Sequence, residues 1–314
     1  MASPAQRVVV AINPNASFGG TRHVGPVVVA ALRAAGHDVV PLSAPDYAGL
    51  VRITREALAR PADALVVVGG DGMVNLGVNL VAGTGIPLGI VPAGTGNDFA
   101  AGLGLPTGDP DAAARVLVEA LTRPPRVIDA ARVTGVQPDP ALDAGRPERD
   151  EPHRWFAGVL SAGFDAAVNE RANRMRRPRG ASRYVLALVA ELATLRTRSY
   201  ELELDGEVLH VDSPLLSVAN NTTIGGGMRI APDARLDDGL LDVFIVKPVS
   251  RLRFVRLFPK VFSGKHSSLP VVEFRRARVV RVSAEGIAGY ADGERFGALP
   301  LTVELVPGAL SVLV

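Results

Sequence analysis

The chain has 314 residues, 47% of them hydrophobic, which is enough for one large or two ordinary domains with cores of their own. Its 34 basic and 32 acidic side chains nearly cancel, so no polybasic surface and no nucleic-acid partner is implied. The absence of cysteine excludes disulfides and thiolate metal sites and fits a reducing compartment, and no apolar run reaches the roughly 18 residues of a membrane span.

The opening "MASPAQRVVVAINPN" holds a strand-length apolar run rather than a secretory h-region, so a cytoplasmic protein is expected, with peripheral contact at the inner face of a membrane left open. "RVVVAIN" (7–13) reads as a buried strand ending at Asn-Pro, followed by an apolar helical pattern over 27–35. "HDVVPL", the helical "YAGLVRITREALA", "DALVVVG", the segment after Gly-Gly-Asp-Gly, and "IPLGIVPAG" repeat the cycle. Continuous apolar strands alternating with helices predict a doubly wound parallel sheet covered on both faces, over residues 1–132. Residues 134–154 are proline-rich and charged and read as an exposed loop. Helices are expected near 165–174 and 182–195, then the alternating hairpin "SYELELDGEVLHV" with an Asp205-Gly206 turn, then "PLLSVAN", "GLLDVFIVK", "ARVVRVSAE" and "PLTVELVPG". The half from 133 to 314 is therefore β-rich and is assigned to a β-sandwich domain.

Two loops carry the chemistry. Gly69, Gly70, Asp71 and Gly72 stand at the carboxyl end of a buried strand, where glycines let backbone N–H groups approach an anion and the next helix adds its N-terminal partial charge. Phosphate suits such a place, and a carboxylate there calls for a cation, which Mg²⁺ with ATP supplies. A tight turn with an N-capping aspartate explains Gly-Gly-Asp-Gly alone equally well. The second loop, "VPAGTGNDFA" (91–100), leaves the end of the following strand with Thr95, Asn97 and Asp98, and two such loops on successive strands favour the phosphate reading. There is no Walker A pattern, and the only lysines are Lys247, Lys260 and Lys265, all in the second half. No G-x-G-x-x-G follows the first strand, and the five histidines are scattered.

"NPNAS", "GGDGMVN", "PAGTGNDFA", "GGGMRIAPDARLDDGLLDV" and "YADGE" resemble, in this order, the diacylglycerol kinase catalytic family and its bacterial lipid kinase members. That family is related to NAD kinase and phosphofructokinase, and the resemblance implies an α/β domain and a β-sandwich domain with the active site in the cleft between. It implies that Asn13, Ser43, Gly69, Gly70, Asp71, Gly72, Met73, Asn75, Thr95 and Asn97 serve ATP. It further implies that Asp71 and Glu294 act in catalysis, Glu294 as general base on a lipid hydroxyl. A structural Mg²⁺ is implied at Asp238 with the main-chain carbonyls of Arg235 and Leu240, an oxygen set suited to a hard cation. On sequence alone, "ADGE" and "LDDG" are ordinary turns.

The chain departs from the family pattern at three places: Met73 replaces a threonine, Leu76 a glutamate and Ala101 an arginine. In "SRLRFVRLFPKVFSGKH" (250–266) the spacing sets Arg253, Arg256 and Lys260 on one helical face and Val255, Phe258 and Phe262 on the opposite one, kinked at Pro259. Basic and aromatic residues together suit anionic headgroups, whereas an apolar face buried on the sandwich is the commoner use of such a helix. "RANRMRRPRG" (171–180) is the densest positive cluster. The expected reaction is phosphoryl transfer from ATP to a lipid, diacylglycerol first, with membrane lipid as partner and the oligomeric state, a homodimer included, undecided. Alternatives are NAD kinase chemistry and a nucleotide or lipid sensor.

Overall fold

The computed structural model describes residues 5–14, 17–18, 22–144, 151–175 and 181–314 and divides into two compact units. The first comprises Met1–Ala130, Pro138–Asp150 and Pro307–Val314, the second Ala131–Gln137 and Glu151–Val306.

In the first unit, β1 (Arg7–Ile12), β2 (Asp38–Leu42), β3 (Ala64–Gly69) and β4 (Leu88–Pro92) form a parallel sheet in the order β2-β1-β3-β4. Every residue of β3 is buried, as the run of valines requires of a strand covered on both faces. Between the strands lie α1 (Val24–Ala34), α2 (Tyr47–Leu58) and α3 (Asp71–Val81), and after β4 come α4 (Asp98–Gly102) and α5 (Pro110–Ala120). Val24, Val28 and Leu32 of α1 and Ala113 and Leu117 of α5 share a core with Val8, Val10, Val66 and Val68, while α2 and α3 pack on each other and on β1 and β3. Asp46 starts α2 by accepting from the Gly49 N–H at 2.7 Å, and Asp109 caps α5 ahead of Pro110. The strand order reverses between β1 and β3, which makes their carboxyl ends the switch point where open α/β sheets bind ligands.

The second unit is an antiparallel sandwich. It begins on β5 (Arg126–Thr134), whose end pairs with β6 (His153–Phe156) in the register Thr134↔His153 to Ala131↔Phe156. One sheet runs through β7 (Val159–Ser161), β10 (Leu215–Ala219), β11 (Leu241–Val246), β12 (Val272–Ala277), β14 (Ala288–Ala291) and β15 (Glu294–Ala298), in the order β12-β11-β10-β7-β14-β15. The other joins β8 (Arg198–Leu204), β9 (Glu207–Ser213), β13 (Val279–Ser283) and the first half of β16 (Leu301–Leu313). Tyr200, Leu202 and Leu204 alternate inward from β8 and meet Phe156, Leu216, Leu241 and Val280 in one core, as the period-two pattern predicts. The outer face of the six-stranded sheet is covered by α6 (Phe164–Arg174), α7 (Ala181–Ala193) and α8 (Arg251–Leu257), with Phe164, Phe244 and Phe254 in the shared cluster.

The units divide the chain differently from a single cut at 132/133. Residues 138–150 group with the first unit, where Arg55 donates to the carbonyls of Ala141 at 2.7 Å and Leu142 at 3.0 Å. The last residues of β16 also belong there, because Val312 and Leu313 pair parallel with Leu88 and Gly89 and complete the sheet beyond β4. The ends of the proline-rich stretch are strands rather than loop, while 145–150 lie outside the described residues, as does 176–180 of the positive cluster. The helix expected over 250–266 ends as α-helix at Leu257 and continues as a 3-10 turn over Phe258–Ser263, because the Pro259 ring clashes with a carbonyl four residues earlier.

Candidate active site

At the switch point, β3 ends at Gly69, Gly70 follows it, and α3 starts at Asp71 with no side-chain cap. The N–H of Asn13, just past β1, donates to Val68 O at 3.1 Å, and the N–H of Ala93, just past β4, donates to Gly69 O at 2.8 Å. The two glycine loops touch: a Cβ on Gly94 would lie 2.4 Å from the Gly70 Cα. No side chain fits between them, which explains glycine at both places.

Asp71 ties the loops together. Its Oδ2 accepts from the Asn97 N–H at 2.9 Å and it also takes the N–H groups of Asp98 and Phe99 at the start of α4, while its Oδ1 is buried with no partner among the described residues. Burial first, and the neighbouring Asp98 carboxylate second, raise its pKa from 3.8 to about 6. Gly96 has no room for a side chain either, since a Cβ there would lie 2.6 Å from Asp71 Oδ2 and 3.2 Å from Asp98 Oδ2. Two carboxylates, one with an unpaired buried oxygen, beside an anion-binding backbone fit a cation shared with phosphate.

The other sequence-predicted residues of this unit divide by exposure. Ser43, just past β2, and Thr95, at the tip of the second loop, are exposed. Asn97 is 5% exposed in the left-handed conformation (φ 57°), and its amide bridges both polar groups of Gly94, donating to the carbonyl at 2.9 Å and accepting from the N–H at 3.0 Å. That side chain is committed to the shape of the loop. Met73 is 5% exposed and its Cγ fills the place a Cβ on Gly69 would take, 2.5 Å from it. Asn75 is 2% exposed, accepts from Asn79 Nδ2 at 3.2 Å and keeps its own Nδ2 buried without a partner among the described residues. Met73 and Asn75 thus sit beneath the loop.

In the second unit, Glu294 is exposed and opens β15 directly after the turn Asp292-Gly293, whose φ values of 50° and 85° match the hairpin turn that Asp-Gly favours. The turn does more than reverse the chain. The Asp292 carboxylate accepts from the N–H groups of Ala157 and Gly158, each at 3.3 Å, and of Val159 at 3.0 Å, and its own N–H donates to Val159 O at 3.2 Å. A Cβ on Gly158 would fall 2.1 Å from Asp292 Oδ1, so glycine is required there. The hairpin bearing Glu294 is in this way locked onto β7. Reading "ADGE" only as a turn misses these acceptor bonds, which link residues 133 to 135 positions apart.

Asp238 accepts from the Leu240 N–H at 3.2 Å and pairs with Arg276, and Arg235 pairs with Asp237 at 3.6 Å. Sequence reasoning missed Asp242, a lone carboxylate in the apolar run of β11. It is 6% exposed, lies 3.5 Å from Arg276 Nε, and keeps Oδ2 buried without a partner among the described residues. Burial raises its pKa, and Asp238 and Asp233 push the same way against Arg276. Among the described residues no three His, Asp or Glu side chains converge as a ligand set, so a cation here would rest on one carboxylate and main-chain carbonyls. Both oxygens of Asp238 are engaged, one by the Leu240 N–H and the other by Arg276, so an ion held there would take the place of the Arg276 guanidinium.

A doubly wound unit with paired glycine loops at its switch point, joined to an antiparallel sandwich, is a nucleotide-binding architecture of the phosphotransferase kind. Residues 7–130 match the diacylglycerol kinase catalytic domain, and residues 158–314 match the YegS C-terminal NAD kinase beta sandwich-like domain. The chain belongs to the diacylglycerol kinase catalytic-domain family, in its bacterial YegS-like lipid kinase branch. It is 40% identical over 308 residues to a diacylglycerol kinase of Mycobacterium tuberculosis, covering 98% of this chain and 94% of that one. It is 29% identical over 250 residues to a diacylglycerol kinase of Bacillus subtilis, covering 78% and 76%. The crystal structure of a diacylglycerol kinase from Bacillus anthracis superposes with a TM-score of 0.71 at 21% identity, covering 99% of this chain and 97% of that one. An NAD kinase from Archaeoglobus fulgidus in complex with ATP gives 0.51 at 12% identity, covering 98% and 93%. These two likenesses concern the fold.

Proposed function

We propose that the protein transfers the γ-phosphate of ATP to a lipid hydroxyl, with diacylglycerol as acceptor and phosphatidic acid as product. The observation that carries this reading is the pair of interlocked glycine loops with Asp71 between them, at the switch point of a sheet whose relatives are named diacylglycerol kinases. Backbone N–H groups of Gly69–Gly72, the half-buried Asn13 and the exposed Ser43 and Thr95 hold the nucleotide, with Met73, Asn75 and Asn97 shaping the loops from within. Asp71 holds the Mg²⁺ that accompanies ATP, and the ion, when bound, neutralises charge on the phosphate oxygens. Glu294 takes the proton of the lipid hydroxyl as its oxygen attacks the γ-phosphorus and ADP departs. A second Mg²⁺, held by Asp238 and the carbonyls of Arg235 and Leu240, orders the sandwich.

Labelled ATP, Mg²⁺ and vesicles containing diacylglycerol, phosphatidylglycerol or a sphingoid base test the proposal. Labelled phosphatidic acid is expected, with Glu294→Gln lowering kcat by about a hundredfold or more and leaving KM for ATP unchanged. No labelled lipid from any vesicle, or NADP formed from NAD, would refute it.

A further inference from the structure

We propose that the exposed side of Arg251–Ser263, comprising α8 and the 3-10 turn after it, docks on an anionic lipid bilayer. From Pro248 to Val272 the chain carries Arg251, Arg253, Arg256, Lys260 and Lys265 and no acidic residue. All five are exposed, and among the described residues none of them enters an ion pair. By contrast, the exposed Arg52, Arg123 and Arg174 each pair with a glutamate four positions away.

Apolar side chains are interleaved with these charges. Leu252 is 80% exposed, Val255 47% and Phe262 52%, three of the seven large hydrophobics left exposed among the described residues, and they fall within eleven positions. The sequence sets Val255, Phe258 and Phe262 on one helical face, to lie on lipid headgroups or to be buried on the sandwich; Val255 and Phe262 are exposed and Phe258 is half-buried, so they do not form one buried face. The residues that anchor the segment are Phe254 and Val261, with Phe258 stacked edge-on against Phe164 at 6.3 Å. Core packing therefore uses one set of apolar residues and leaves a second set outside. Among the described residues no other stretch of this length exposes three large hydrophobics. An apolar ridge flanked by unpaired cations matches a headgroup layer that is negative at its surface and apolar just beneath.

The proposal goes beyond the catalytic reading, since binding requires neither ATP nor turnover. Sedimentation of the full-length protein with vesicles of phosphatidylcholine, with and without about 30% phosphatidylglycerol, tests it. Binding is expected only with the anionic lipid and should fall as NaCl is raised to about 0.5 M. Arg253→Gln and Lys260→Gln should each weaken partition about fivefold, Leu252→Glu and Phe262→Glu about tenfold or more, and Arg52→Gln, which lies outside this segment, should leave it unchanged. Circular dichroism melts confirm that the variants fold. Equal binding to both vesicles, or variants that bind as the parent does, would overturn the proposal. So would a dimer in sedimentation velocity that Leu252→Glu dissociates, because the face would then belong to a second copy. Vesicle binding with this pattern but no labelled lipid would sink the kinase reading and leave the docking face standing.

Discussion

Asp71 should make the nucleotide-free protein less stable at neutral pH than it need be. Its pKa is about 6 in the folded protein against 3.8 ordinarily, a displacement equivalent to about 3 kcal/mol. The folded state therefore holds the proton more tightly than the unfolded chain. Stability is unaffected below about pH 4, declines as pH rises from there to about 6, and carries the whole deficit above that. Asp71→Asn removes the charge but keeps an oxygen to accept from the Asn97 N–H. Urea denaturation of parent and variant from about pH 4 to pH 8 is the assay. The two should coincide at the acid end and separate until the variant leads by up to about 3 kcal/mol at the alkaline end, while losing Mg-ATP binding. A stability difference that does not change with pH, or a variant less stable at about pH 8, would refute the argument that burial and Asp98 raise this carboxyl.

Other consequences follow from the same geometry. Gly94→Ala drives a methyl into the Gly70 backbone and should cost about 1–3 kcal/mol and abolish ATP binding, whereas Gly108→Ala, with nothing within 4 Å, should do neither. Asp292→Ala strands three backbone N–H groups and should cost about 2–3 kcal/mol in denaturation, with kcat falling and KM for ATP unchanged; a loss below about 0.5 kcal/mol would show that the turn does not depend on them. If the Asp238 segment holds Mg²⁺, millimolar MgCl₂ should raise the melting midpoint by a few degrees, and Asp238→Asn should remove the rise.

The parallel sheet was legible because each strand of the first unit is a short continuous apolar run and each helix a periodic one, and local patterns of this kind survive reading in isolation. The glycine loops were legible for the same reason: their oddity lies in a few adjacent residues. What the loops do to one another was not. Gly94 against Gly70, Gly96 against Asp71, and Asp292 against Gly158 are contacts between segments tens to more than a hundred positions apart. No neighbouring residue signals them. Met73, which stands where the family pattern has a threonine, is a buried side chain over Gly69, a packing contact that the motif does not show.

Sequence by itself determined the class of each half, the order of the motifs and the family, since these rest on period and spacing along the chain. Tertiary structure alone decided that the last residues of β16 close the first unit's sheet, that the Asp71 carboxyl is raised, and that Leu252, Val255 and Phe262 face outward while Phe254 and Val261 turn in. Strand neighbours, burial and electrostatic partners are properties of the packed chain, and a one-dimensional pattern does not contain them.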